Sequence, residues 1–179
     1  MPSRLAAAAL AVAALAALAG SSAGASVKSC TASSLALRQG PLVVPKTMQL
    51  PLLLELVNDG RSACTIVGYP RIVLLSAGGT VFPFAYRDGG DEEVTSRRPA
   101  AVTLRPGGVA FVLLNKSPCI GNVNGRLARQ VRLTPPGTSA TLALRDLRGL
   151  FPDYCAAGDP GHRVDVSPIE ASLTGAEQH

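Results

Sequence analysis

Apolar side chains recur at every second position along much of this chain, and that period suits strands rather than helices. From Gln49 to Val57, Leu50, Leu52, Leu54 and Leu56 share one face, while Gln49, Pro51, Leu53, Glu55 and Val57 form a more mixed second face. Asn58-Asp59-Gly60 then supplies a turn. Short strands are expected over 64–67 and 71–76, around Gly68-Tyr69-Pro70, and again over 80–86, where Pro83 marks an edge or a bulge. Residues 87–99 read as a long polar loop. Strands over 101–104 and 109–115 flank the tight turn Arg105-Pro106-Gly107-Gly108, and the second is apolar on both faces, as a central strand would be. Runs at 130–134, 141–144 and 163–167 complete a set of about nine strands. Residues 146–154 are expected to make a single helical turn, and no helical period persists over ten residues in the part after the leader. Such a set of short strands indicates a sandwich or a barrel, and the expected fold is all-β, a single β-sandwich.

Residues 1–25 have the layout of a secretory signal peptide. Arg4 precedes an apolar run from Leu5 to Ala19, and Ala23-Gly24-Ala25 supplies a cleavage pattern of small residues. The run is fifteen residues, short of the roughly 20 a spanning helix needs. Gly20-Ser21-Ser22-Ala23-Gly24 matches the G-x-S-x-G string of serine hydrolases, but it sits in the expected leader without the strand and helix that string requires. The reading is therefore a leader over 1–25, one domain over 26–170, a frayed tail over 171–179, and a secreted product with no stable membrane span.

All four cysteines, Cys30, Cys64, Cys119 and Cys155, follow the leader. An even count in an exported chain implies disulfides, and four cysteines allow three connectivities. Cys30–Cys64 with Cys119–Cys155 is the favoured pairing, because it puts one bridge in each half of the chain. None of the cysteines has the close spacing of a zinc or redox motif, so neither a metal nor a cofactor is expected.

Charge narrows the partners only a little. Lysine and arginine total 17 against 12 acidic residues, a net charge of +5. Arginine far outnumbers lysine, which suggests a GC-rich bacterial genome. Arg126, Arg129, Arg132, Arg145 and Arg148 crowd one stretch of the second half. Guanidinium groups bind phosphate and carboxylate bidentately, so a shared surface would suit an anionic envelope polymer or acidic lipid heads. Nucleic acid fits less well, because no aromatic residue interleaves with these arginines as a stacking platform requires. The carboxylates of Asp88, Asp91, Glu92 and Glu93 lack the alternating spacing of a calcium loop and read as a solvated charged loop. His162 and Asp165 lie three apart on an expected strand and would leave opposite faces, so they make no local catalytic dyad. Asn115-Lys116-Ser117 matches a glycosylation sequon, with Pro118 following it.

Several segments in order resemble a known family. They are Leu54-Glu55-Leu56-Val57-Asn58, Cys64-Thr65-Ile66-Val67-Gly68-Tyr69-Pro70, Leu104-Arg105-Pro106-Gly107-Gly108, Cys119, Leu133-Thr134-Pro135-Pro136, and Cys155 before Val164–Pro168. This order resembles the secreted actinobacterial family called domain of unknown function 4232, over about residues 28–170. The resemblance implies an antiparallel, immunoglobulin-like β-sandwich with disulfides. It carries no established activity, so no catalytic residue is transferred. Tyr69 is read as structural, its ring buried at a strand corner and its hydroxyl hydrogen-bonded. The chain lacks the lipid-attachment cysteine and the tryptophan of many relatives.

The functional expectation is a non-enzymatic extracellular or envelope-associated binding module. A structural or accessory protein acting through a protein partner is the first alternative, and exposure of Phe82, Phe84 or Phe151 would favour it. A hydrolase that joins His162 to a serine and an acid from distant strands is the second.

Overall fold

The computed structural model describes residues 27–46, 49, 51–90, 93–120, 126–149 and 153–177. The expected leader, Leu50, Asp91, Glu92 and Phe151 lie outside the described residues. The strands are β1 (Leu35–Gln39), β2 (Leu52–Asn58), β3 (Cys64–Ile66), β4 (Arg71–Leu75), β5 (Ala85–Asp88) and β6 (Val102–Leu104). They continue with β7 (Val109–Asn115), β8 (Arg126–Leu127), β9 (Gln130–Thr134), β10 (Leu142–Arg145), β11 (Asp153–Tyr154) and β12 (Arg163–Val166), followed by one helical turn, α1 (Leu173–Ala176). The described chain is thus mostly strand, with almost no helix.

A five-stranded sheet has the order β1-β2-β7-β12-β5, and a three-stranded sheet the order β10-β9-β4. Two ribbons, β8 with β11 and β3 with β6, complete the set. The leucine alternation on β2 does what its period dictates. Leu52, Leu54 and Leu56 meet Ala110, Val112 and Leu114 of β7, Ile72 and Leu74 of β4, and Val131 and Leu133 of β9 in one core. Leu54, Leu56, Leu74 and Leu133 are fully enclosed, and each such side chain stabilises by roughly 1.5–3 kcal/mol. β7 is apolar on both sides because Ala110, Val112 and Leu114 face the main core while Leu113 and Phe111 join a second cluster on the opposite face.

Several expectations change. The pairing is not wholly antiparallel, because β12 runs parallel to β5 with Asp165 opposite Arg87. The expected frayed tail is ordered through residue 177: Ser172 caps α1 by accepting the Gly175 N–H, and Ala176 is buried. There it joins Leu53, Leu113, Val43 and Val94 in a second cluster, on the face of β2 that looks mixed in the sequence. The segment 146–154 forms no helical turn in its described part; its end is β11, paired with β8.

Cys30 is bonded to Cys64 and Cys119 to Cys155, with Cα–Cα separations of 4.8 and 5.5 Å. No cysteine is free. Each bridge ties a loop or ribbon to the core where strands are shortest. Cys64 begins β3, and Cys155 follows β11 directly.

Candidate functional site

The pleat decides which arginines share a surface. On β9 the side chains alternate, with Val131 and Leu133 in the core and Arg132 exposed. Arg132 lies opposite Val73 of β4 and Ala143 of β10. Arg145, two residues beyond Ala143, and Arg71, two before Val73, therefore stand on the same outer face. Both are exposed. The three arginines run diagonally across the sheet, at the spacing of diagonal neighbours, roughly 7–8 Å per step. β4, β9 and β10 contain no acidic residue. Among the described residues none of the three forms an ion pair. Asp146 follows Arg145 directly in the chain, and Asp88 lines a groove of about 430 Å³ together with Arg71 and Tyr86.

The other arginines of the expected cluster go elsewhere. Arg126 stacks over the rings of Phe82 and Tyr154, 5.4 and 5.5 Å from their centroids. This aromatic contact crosses between distant segments and has no local sequence signal. Arg129 donates to the carbonyls of Leu147 and Gly149, at 3.1 and 3.3 Å, and so serves a loop. Arg148 sits beside an apolar groove near the end of β1. The five residues thus divide among four places, and Arg71 is the member that sequence grouping missed. The strand order that brings it beside Arg132 is not written in spacing.

Of the described groups considered for catalysis or metal binding, Asp165, Glu93 and the pair Cys119–Cys155 are engaged structurally. Asp165 is buried and accepts two hydrogen bonds from Arg87, both 2.9 Å, with Arg163 Nε at 3.3 Å. His162 belongs to a short helical turn, not to the strand, and packs edge-on against Tyr154 with ring centroids 5.9 Å apart. Among the described residues no serine or carboxylate hydrogen-bonds it. Asp159 instead accepts the N–H groups of Gly161 and Ile120. Glu93 is buried and accepts the Lys46 N–H at 2.7 Å, whereas Asp88 is exposed, so these two carboxylates do not converge. Cys119, Asp153 and Cys155 cluster within 4.8 Å, but the sulfurs are bonded to each other and the carboxylate holds Lys116. Asn115 of the sequon is 2% exposed, which leaves a glycan no room.

The sequence profile of the family described as domain of unknown function 4232 matches residues 30–170. The chain belongs to this family. No curated protein and no solved structure shows significant similarity to it.

The segments that carry the resemblance to domain of unknown function 4232 have architectural work in the structure. Asn58 is buried at the end of β2, and its side-chain amide donates to the carbonyls of Ser62 and Leu104 while its oxygen accepts the Gly60 N–H. One side chain thereby fixes the turn after β2 and anchors it to β6. Gly68 adopts a φ of 120°, a conformation that favours glycine, and a Cβ there would lie 3.2 Å from Pro136, a tight contact. Tyr69 is half-buried and donates its hydroxyl to the Arg97 carbonyl at 3.4 Å. Burial pushes its pKa up, helped by Asp88 and Glu170.

Phe82 and Phe84 are both buried and form an aromatic group with Tyr154. They offer no exposed patch to a protein partner. The most exposed large apolar residues among those described lie elsewhere, at Leu42 and Val44, 88% and 82% exposed, in the proline-bracketed segment 41–45. The available signal was that run of apolar residues between Pro41 and Pro45, outside any alternating pattern.

Proposed function

We propose that this member of domain of unknown function 4232 is a secreted, non-enzymatic binding module of the cell envelope. In this reading the two sheets form an immunoglobulin-like β-sandwich, and the outer face of the smaller sheet engages an anionic polymer. The observation that carries it is the Arg71–Arg132–Arg145 diagonal on a face whose strands hold no acid. Unpaired guanidinium groups on a rigid sheet present fixed, bidentate donors to phosphate or carboxylate. Two disulfides are compatible with an oxidising, extracytoplasmic setting. No helix among the described residues is long and apolar enough to cross a membrane. The leader layout of residues 1–25 and the excess of arginine over lysine fit export from a GC-rich actinobacterium.

The test is binding to immobilised poly(glycerol phosphate) across a salt series. Retention at low salt, falling as the Debye length shrinks, is the expected result. The triple variant Arg71→Gln, Arg132→Gln, Arg145→Gln should lose retention while keeping its fold. Equal retention of the variant would sink the proposal. Export is checked separately, by sequencing the N-terminus of protein recovered from culture medium.

A further inference from the structure

The groove near the end of β1 has a different chemistry from the basic face. It encloses about 480 Å³, within the range of small-molecule sites. Its walls include Leu42, Val44, Leu52 and Leu53, and Arg148 stands on its border. An adjoining hollow of about 430 Å³ shares Gln39, Arg148 and Gly149 with it, so the polar end is continuous with the apolar trough. That end is pre-formed. The Gln39 side-chain amide donates to the Arg148 carbonyl and accepts the Arg148 N–H, both at 2.9 Å. The Arg148 backbone is therefore fixed to β1, while its guanidinium has no ion pair among the described residues.

We propose that this groove binds a long-chain carboxylate, with the acyl chain along Leu42, Val44, Leu52 and Leu53 and the carboxylate on Arg148. A peptide is disfavoured by the wall itself. Pro41, Pro45 and Pro51 line the groove and have no N–H to offer a main chain, whose own polar groups would then be buried unpaired. An acyl chain makes no such demand. It needs only apolar contact along its length and one donor fork at its end. Leu42 and Val44 are two residues apart on one wall and 88% and 82% exposed, and the same occupant would cover them together.

Calorimetric titration with dodecanoate on the disulfide-bonded protein tests the assignment. Saturable binding is expected, whereas dodecyltrimethylammonium, with the same chain and the opposite charge, should bind at least tenfold more weakly. Arg148→Gln should weaken dodecanoate about tenfold. Val44→Asp, at an exposed position that leaves the core untouched, should weaken it at least as much. The triple variant of the basic face should bind dodecanoate normally, which separates this site from the polymer surface. Absence of dodecanoate binding, equal binding of the cationic amphiphile, or indifference to both single variants would each overturn the proposal.

Discussion

Lys116 Nζ lies 2.7 Å from Asp153 Oδ1, and the lysine side chain is wholly enclosed while its partner is 21% exposed. The ammonium also donates to the Ser117 carbonyl at 2.7 Å. The pair joins the end of β7 to β11, next to the bridge between Cys119 and Cys155. Removing one partner strands a buried charge, so Asp153→Ala should destabilise by about 2–3 kcal/mol, somewhat below a fully buried pair. Lys116→Met combined with Asp153→Asn should recover much of that loss, as urea unfolding would show.

Burial holds the Lys116 ammonium below its ordinary range, with Asp153 opposing the shift. Between the lowered native pKa and 10.5, the unfolded chain binds the extra proton, so this residue makes stability rise with pH there. Lys116→Met should flatten that rise in the urea midpoint measured at increasing pH.

Tyr86 acts in the opposite direction. Its hydroxyl accepts the Leu74 N–H at 3.0 Å, bridging the edges of the two sheets, although its ring edge reaches solvent. Burial pushes its pKa to about 12 from 10.0. The native state then keeps a proton that the unfolded chain loses, so stability falls as pH rises from 10 towards about 12. Tyr86→Phe should be less stable at neutral pH by about 1 kcal/mol for the unpaired N–H, yet show a shallower alkaline decline in melting temperature.

The bridges close loops with separations of 34 and 36 residues. Replacing either pair by serine should cost about 3–4 kcal/mol in the chain-entropy model. Urea unfolding of each double variant measures the loss, and near-equal losses are expected because the loops are near-equal.

Gly161 occupies a place with no room for a methyl group. A Cβ there would fall 2.5 Å from Cys155 Sγ and 2.6 Å from the Ser117 carbonyl. Gly161→Ala should destabilise by about 1–3 kcal/mol through overpacking. The same substitution at Gly107, where a Cβ would meet nothing within 4 Å, should show only the strain of a positive φ.

Local pattern carried much of the fold. Val109–Asn115 and Gln130–Thr134 coincide with β7 and β9, because alternation or continuous burial is a property of a few adjacent residues. β1 escaped notice because Arg38 and Gln39 interrupt its apolar pattern and its stability comes from pairing with β2. The expected strand over 80–86 moves to Ala85–Asp88, past Pro83, which has no N–H to donate to a ladder. Order and direction are non-local, so neither the parallel β5–β12 pair nor the placement of Arg71 beside Arg132 was legible. The groove at Arg148 depends on a contact between Gln39 and a residue 109 positions away, which spacing does not encode.

The position of β12 between β7 and β5 has a temporal consequence. A polypeptide made from its N-terminus holds β1, β2 and β7 long before residues 163–166 exist, yet β5 has no other neighbour in the sheet. Completion of the five-stranded sheet therefore requires the last of the described strands in the chain. A growing chain lacks the partner of β5 until β12 is made, and a protein that must be threaded elsewhere before it folds would have its keystone arrive last.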